Sequence, residues 1–270
     1  NALTASGMEV VPSLYNLLVR LKNEGYNVGK LPANPQELAK MIQAQGAVFG
    51  TYAEGAYTKF LQSGHPALVT AQQFAGWTQK ALSKKMIKEM NQLYGSFPGK
   101  YMATDDGKLA VARLQFGNVA LLPQVMAGVG GDSFKIVHGT DQAPPYTYVA
   151  SYLWARYGFS ADALIHFGTH GSLEYTPRKQ VALDSNDWSD RLIGVVPHFY
   201  IYTIGNVGEA MIAKRRTYAQ TQSYLTPPFK ESELRQTYKQ LSDAIQLYEK
   251  KASAEQSLKV KALTVKMGIA

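Results

Sequence analysis

Residues 163–177 read Ala-Leu-Ile-His-Phe-Gly-Thr-His-Gly-Ser-Leu-Glu-Tyr-Thr-Pro. Ala163–Phe167 is a short apolar run, and Gly168 and Gly171 bracket the turn that ends it. The spacing predicts a strand with His166 at its end, His170 in the turn, and Glu174 in the first turn of a short helix. Strand ends in α/β sheets commonly bind ligands, and loops on a rigid scaffold carry much of protein chemistry.

From about Val111 onward, short apolar runs alternate with glycine-rich turns and helical stretches. Asn118–Val125 and Phe199–Ile204 are further strand candidates, Gly128–Asp132 is a loop, and Tyr146–Tyr157 is an aromatic helix. Glu209–Ser223 reads as the helix after the last of these strands. The alternation predicts an α/β fold, with a mixed or partly parallel sheet and flanking helices.

The N-terminal part reads as helical. Leu14, Leu17, Leu18 and Leu21 recur at helical spacing, with Pro12 in the first turn and Gly25 as the stop. A second helix opens at Asn34, with Pro35 in the first position and Glu37 completing a capping box; Leu38, Met41 and Ile42 supply its apolar face. Residues 78–94 read as one helix, with Leu82, Met86, Met90 and Leu93 inward and Lys80, Lys84, Lys85 and Lys88 outward. A last amphipathic helix covers 231–251, with Leu234, Tyr238, Leu241, Ile245 and Tyr248 on one side. The expected division is 1–105, mainly helical; 106–230, α/β with the candidate site; and 231–270, a C-terminal helix and tail.

Composition narrows the classes. Apolar residues make up 46% of 270 and charged residues 18%, which suits a packed core and not a disordered chain. The absence of cysteine excludes disulfides and thiolate metal sites and suits a reducing compartment, so a cytoplasmic location is expected. No run approaches the roughly 18 apolar residues of a membrane span. Asn1 is followed by no charged-then-apolar leader, and the absence of an initiating Met suggests a segment of a longer chain, where an anchor would escape notice. Lys and Arg number 28 against 20 Asp and Glu, a net charge of +8 that favours anionic partners such as a polycarboxylate, or simply a solvated basic surface.

Three of the five histidines lie between His138 and His170. On a continuous helix, His166, His170 and Glu174 would project together at four-residue intervals as a zinc set. Gly168 and Gly171 argue against that helix, each weakening it by roughly 1 kcal/mol. The turn still keeps the three groups close, and imidazole and carboxylate suit both a divalent cation and proton acceptance. The same residues are compatible with a buried, hydrogen-bonded His166 and a Glu174 that only caps its helix. Tyr146, Tyr148, Trp154, Tyr200 and Tyr202 offer faces for stacking, although aromatic residues of this kind more often fill a core.

The string ADALIHFGTHGSLEYTPRKQ resembles the signature of the cobaltochelatase large subunit (CobN) and magnesium chelatase H subunit family. HGTDQAPPYTYVASY precedes it and DRLIGVVPHFYIYTIGNVGEAMIAKRRTYAQTQSYLTPP follows it, also as in that family. The strong match covers about 116–228, with a weaker one at 9–32. Family chains are much longer, so a fragment of a larger multidomain chain is expected. Two departures stand out: Arg178 replaces a usual Gly, and a Pro is usual near Val207, in the Asn206-Val207-Gly208-Glu209 turn. They leave open which member, metal and ring apply.

The resemblance implies a tetrapyrrole substrate and a divalent metal: cobalt, magnesium or iron. It implies Glu174, His170 and His166 as catalytic groups or transient metal ligands, with His138 a weaker candidate toward the ring. Arg178, Lys179, Lys214, Arg215 and Arg216 are candidates for ring carboxylates. The sequence has no Gly-Lys-Ser/Thr phosphate loop. That fits a family in which ATP is hydrolysed by separate AAA+ partner proteins. Some relatives serve haem uptake and are thought to remove iron from haem, so the reverse reaction is the runner-up. A non-catalytic tetrapyrrole-binding module, a zinc hydrolase and, weakest, a nucleic-acid binder complete the alternatives; no nucleic-acid motif is present. Membrane contact is left open.

Overall fold

A computed structural model describes residues 8–44, 60–62, 64–125, 142–168, 171–202, 207–223 and 233–268. Two units emerge, Asn1–Thr226 and Pro227–Ala270.

In the first unit, α1 (Val10–Asn23) and α2 (Pro35–Ala44) pack Leu18 and Leu38 against Phe116 of a small hairpin, β3 (Leu114–Phe116) and β4 (Val119–Leu121). The cap before α2 forms much as its sequence predicts. Glu37 N–H donates to Asn34 Oδ1 at 2.9 Å, and Glu37 Oε2 accepts from Ala33 N–H at 2.6 Å, one residue upstream of the cap. The strand expected over 118–125 is the second arm of the hairpin, since Gly117-Asn118 turns the chain between the antiparallel strands.

The helix expected over 78–94 is two helices, α3 (Ala71–Ala81) and α4 (Lys84–Tyr94). Leu82 turns extended, and Ser83 caps the second helix by accepting from Met86 N–H at 3.3 Å. Met86 and Met90 face the main core as expected, while Leu93 is exposed. Lys80, Lys84, Lys85 and Lys88 lie on the outside. That core also takes in β1 (Ala67–Val69), β2 (Leu109–Val111), α5 (Tyr146–Leu153) with its π-helical extension Trp154–Gly158, and α6 (Trp188–Ile193). Strand β1 pairs with β2, so a backbone ladder crosses the boundary expected near residue 105. The first unit packs residues from both sides of that point into one core.

The parallel sheet follows α5, with α6 between its first two strands. β5 (Leu164–Phe167), β6 (His198–Tyr202) and β7 (Gln220–Ser223) run parallel in that order. Parallel neighbours need crossover connections, and α7 (Val207–Thr217) supplies the second. The helix expected over 209–223 therefore stops at Thr217, and its last residues form β7. On α7, Ala213, Arg216 and Thr217 share the buried face at spacings of three and four, while Lys214 and Arg215 point outward.

The second unit is a helical pair, α8 (Glu233–Lys250) and α9 (Ala254–Lys266), with Leu241 and Ala244 buried and Ser253 capping α9. The stretch read as a tail is thus largely the second helix. The Gly128–Asp132 loop and the side chains of Tyr202 and Leu234 lie outside the described residues. No described helix is long and apolar enough to cross a membrane.

Candidate functional site

The register of β5 against β6 places three side chains. His166 lies opposite Tyr200, and Leu164 opposite His198. Side chains two apart on a strand share a face, so His198 and Tyr200 both flank His166. The rings stand nearly perpendicular: His166 to His198 at 4.7 Å between centroids and 84°, His166 to Tyr200 at 5.6 Å and 87°. Tyr152 reaches in from α5 and makes a third such contact.

The turn after β5 brings the carboxylate. Gly171 N–H donates to the Tyr200 hydroxyl, and Tyr200 O–H donates to Glu174 Oε1 at 2.5 Å. A Cβ on residue 171 would lie 2.6 Å from His166 Nδ1, 2.8 Å from Tyr200 Cε2 and 3.0 Å from Glu174 Oε2. Close approach therefore demands glycine there, and one point marks where imidazole, phenol and carboxylate converge. Gly168, at φ +154°, makes the turn off the strand in a conformation other residues rarely adopt.

Glu174 is buried in the 3-10 turn Leu173–Tyr175. Arg216 holds that turn from beneath, donating to the carbonyls of Glu174 at 2.6 Å, Thr176 at 2.5 Å and Pro177 at 3.2 Å. Planar guanidinium suits such a fan of acceptors. Arg216 is fully buried, so its expected role toward ring carboxylates is corrected to that of a scaffold. Its place among Ala213 and Thr217 shows why: the basic run 214–216 straddles two faces of α7.

The remaining expected residues divide. Arg178 pairs with Glu89, and Lys179 with Asp184 at 2.7 Å, while Lys214 and Arg215 are exposed. His138 and His170 lie outside the described residues. Among the described residues, no three His, Asp or Glu side chains form a metal-binding set. Tyr146, Tyr148, Trp154 and Tyr200 are buried, which removes them as open stacking platforms. Sequence reasoning missed His198 and Tyr152. The alternation His198-Phe199-Tyr200 was the available signal, but the strand expected from Phe199 begins one residue late.

Burial dominates the electrostatics. It lowers the His166 pKa to about 3, aided by the neighbouring His198, and that of His198 to about 4. It raises the Tyr200 hydroxyl, with Glu174 adding to the rise, and it raises Tyr152. At neutral pH the imidazoles are neutral, the form that accepts a proton or ligates a metal, and the phenols keep theirs.

The CobN/Magnesium Chelatase family model matches residues 1–268. The chain belongs to this family. The match extends well beyond the segments 116–228 and 9–32 on which the resemblance rested. The magnesium-chelatase H subunit of Rhodobacter capsulatus is 37% identical over 240 residues, covering 89% of this chain and 19% of that relative. The aerobic cobaltochelatase protein CobN of Pseudomonas aeruginosa is 30% identical over 227 residues, 84% of this chain and 18% of its own. The chain thus spans about a fifth of these relatives' length. A solved structure, the catalytic subunit of cobaltochelatase from Mycobacterium tuberculosis, shares the fold with TM-score 0.68 at 24% identity, over 98% of this chain and 23% of that one.

The two positions expected to depart from the family pattern have local structural settings. Arg178 holds φ +92°, a conformation that favours glycine, and pairs with Glu89. Val207 is the first residue of α7, a position at which proline is well tolerated.

Proposed function

We propose that this chain carries proton-handling groups of a tetrapyrrole metal chelatase large subunit, which exchanges a divalent metal with ring protons. The supporting observation is the convergence of Glu174, His166 and Tyr200 on the space beside Gly171, at the end of a parallel strand. Family membership supports a tetrapyrrole as the substrate. Metal insertion removes two pyrrole N–H protons, each leaving its electron pair on nitrogen. Glu174 accepts those protons, while His166, kept neutral by burial and therefore a weak base, takes one up only transiently or holds the incoming ion in passing. Lys214 and Arg215, exposed and cationic, suit ring carboxylates. With no phosphate loop in the sequence, energy from ATP would enter through partner proteins.

Glu174→Gln in the complete protein is the test. Absorption spectra follow metal-free porphyrin with magnesium or cobalt, ATP and the AAA+ partners, and haem alone in parallel under reducing conditions. The variant is expected to bind ring with normal affinity and lose turnover by 100-fold or more, within the usual range for a general base. Near-normal turnover would overturn the assignment of Glu174. Conversion of haem to the metal-free spectrum without partners would reverse the direction of the reaction.

A further inference from the structure

A helix end dictates which nitrogen of His166 is free. Thr217 closes α7, so its carbonyl has no acceptor duty left within the helix and can only accept. His198 Nδ1 lies 3.3 Å from that oxygen and must carry a hydrogen to bond with it. In a neutral imidazole the other nitrogen is then a bare acceptor. That nitrogen, His198 Nε2, lies 3.0 Å from His166 Nδ1, which must therefore be the donor. His166 Nε2 is left with its lone pair, and Tyr152 O–H donates to it at 3.0 Å. Each step is fixed by the one before it, beginning from a backbone carbonyl.

We propose that His198 is a positioning residue that holds His166 in the Nδ1–H tautomer, making Nε2 the atom that accepts a proton or meets the metal. The functional half of this rests on the chelatase reading; the tautomer does not. A histidine that donates one ring N–H to a fixed partner is oriented and made a better donor of its other lone pair. His198 sits on the strand beside His166, and the sheet register holds the two rings in contact. A ring N–H that reaches Nε2 takes the place of the Tyr152 O–H, which has Gln124 Oε1 as its other acceptor at 3.4 Å. The pyrrole N–H bond breaks, the Nε2–H bond forms, and the electron pair stays on the pyrrole. The resulting imidazolium keeps its Nδ1–H on His198, next to the negative end of α7.

The test compares His198→Leu and His198→Gln in the complete protein labelled with 15N-histidine, using His166→Gln to assign the signals. Wild type should show a protonated Nδ1 and an unprotonated Nε2 on His166. His198→Leu removes the acceptor. It should mix the His166 tautomers and lower kcat for metal exchange 10- to 100-fold, with KM for the ring unchanged. Gln offers a carboxamide oxygen near the place of Nε2, and should restore both the Nδ1–H signature and most of kcat. A wild-type His166 protonated on Nε2 overturns the proposal. So does a Leu variant that keeps both the signature and kcat, or a folded Gln variant that recovers neither. If wild type exchanges no metal with any ring, the chelatase reading falls, and the nitrogen signals still decide the tautomer.

Discussion

Two polar groups in this chain meet different fates in the fold. One is the sheet-face cluster of Tyr152, His166, His198, Tyr200 and Glu174. The other is the basic set of Arg178, Lys179, Lys214, Arg215 and Arg216. In the first, two hydrogen-bonded chains, Tyr152–His166–His198 and Gly171–Tyr200–Glu174, meet beside a glycine, where the His166 and Tyr200 rings touch. In the second, three of the five charges are already committed, Arg216 to carbonyls and Arg178 and Lys179 to acids. Counting charges by type therefore overstates the second group as a ligand surface. Tracing hydrogen bonds to an end point distinguishes a scaffold from a site.

The most damaging test of that contrast is Arg216→Met. Three carbonyls would lose a charged donor inside the fold, and hydrogen bonds to charged groups contribute about 1.5–3 kcal/mol each before partial compensation. The expected loss is on the order of 3–5 kcal/mol, read as faster hydrogen exchange across 173–178 and a lower melting temperature. An intact fold with only ring affinity reduced would return Arg216 to the ligand set.

Gly171→Ala tests the other group. A methyl there meets His166 Nδ1, the Tyr200 ring and Glu174 within 3.0 Å. Overpacking of this kind costs about 1–3 kcal/mol. Turnover should fall more steeply than stability, because the three displaced groups are the ones that converge. A variant with unchanged turnover and lowered stability would make the cluster mere packing.

The difference between the groups also explains what was legible from sequence. The strand–turn–helix around His166 and Glu174 was readable because Gly168 and Gly171 punctuate it within a few residues. Arg216 was misread because a run of three bases gives no sign of which one faces inward. That requires knowing which face of α7 packs on β6. His198 was missed for a related reason. Its importance comes from register with a strand 32 residues away and from the carbonyl of Thr217, neither of which leaves a local trace. The break at Leu82–Ser83 was within reach, since Ser83 is an ordinary N-cap, but the apolar spacing ran straight through it.

A gentler test uses acid. Folded His166 and His198 stay neutral down to about 3 and about 4, whereas an unperturbed imidazole takes up a proton near 6.5. The unfolded chain therefore binds more protons between these values. Stability is full above about pH 6.5 and falls as pH drops through that window. Between pH 6.5 and 5, where few carboxylates titrate, the slope in His166→Gln should be shallower than in wild type by about one proton. Hydrogen exchange of β5 and β6 amides against pH measures it. Identical slopes would show that His166 is not the buried neutral group described here.

The smallest expected effect falls on the outer face of α7. Arg215 is exposed, and its replacement by Ala should change stability by less than about 0.5 kcal/mol. If Arg215 meets a ring carboxylate, Arg215→Ala should weaken binding of a carboxylated ring by a few-fold at low salt and leave the corresponding ester unaffected, with the difference shrinking as salt rises. Equal weakening of acid and ester would mean that the residue acts through packing, and the exposed basic face would lose its claim on the ring. The same comparison at Lys214 separates a specific contact from a general field. A general field lowers affinity for the acid alike whichever cation is removed, whereas a contact singles out one of the two.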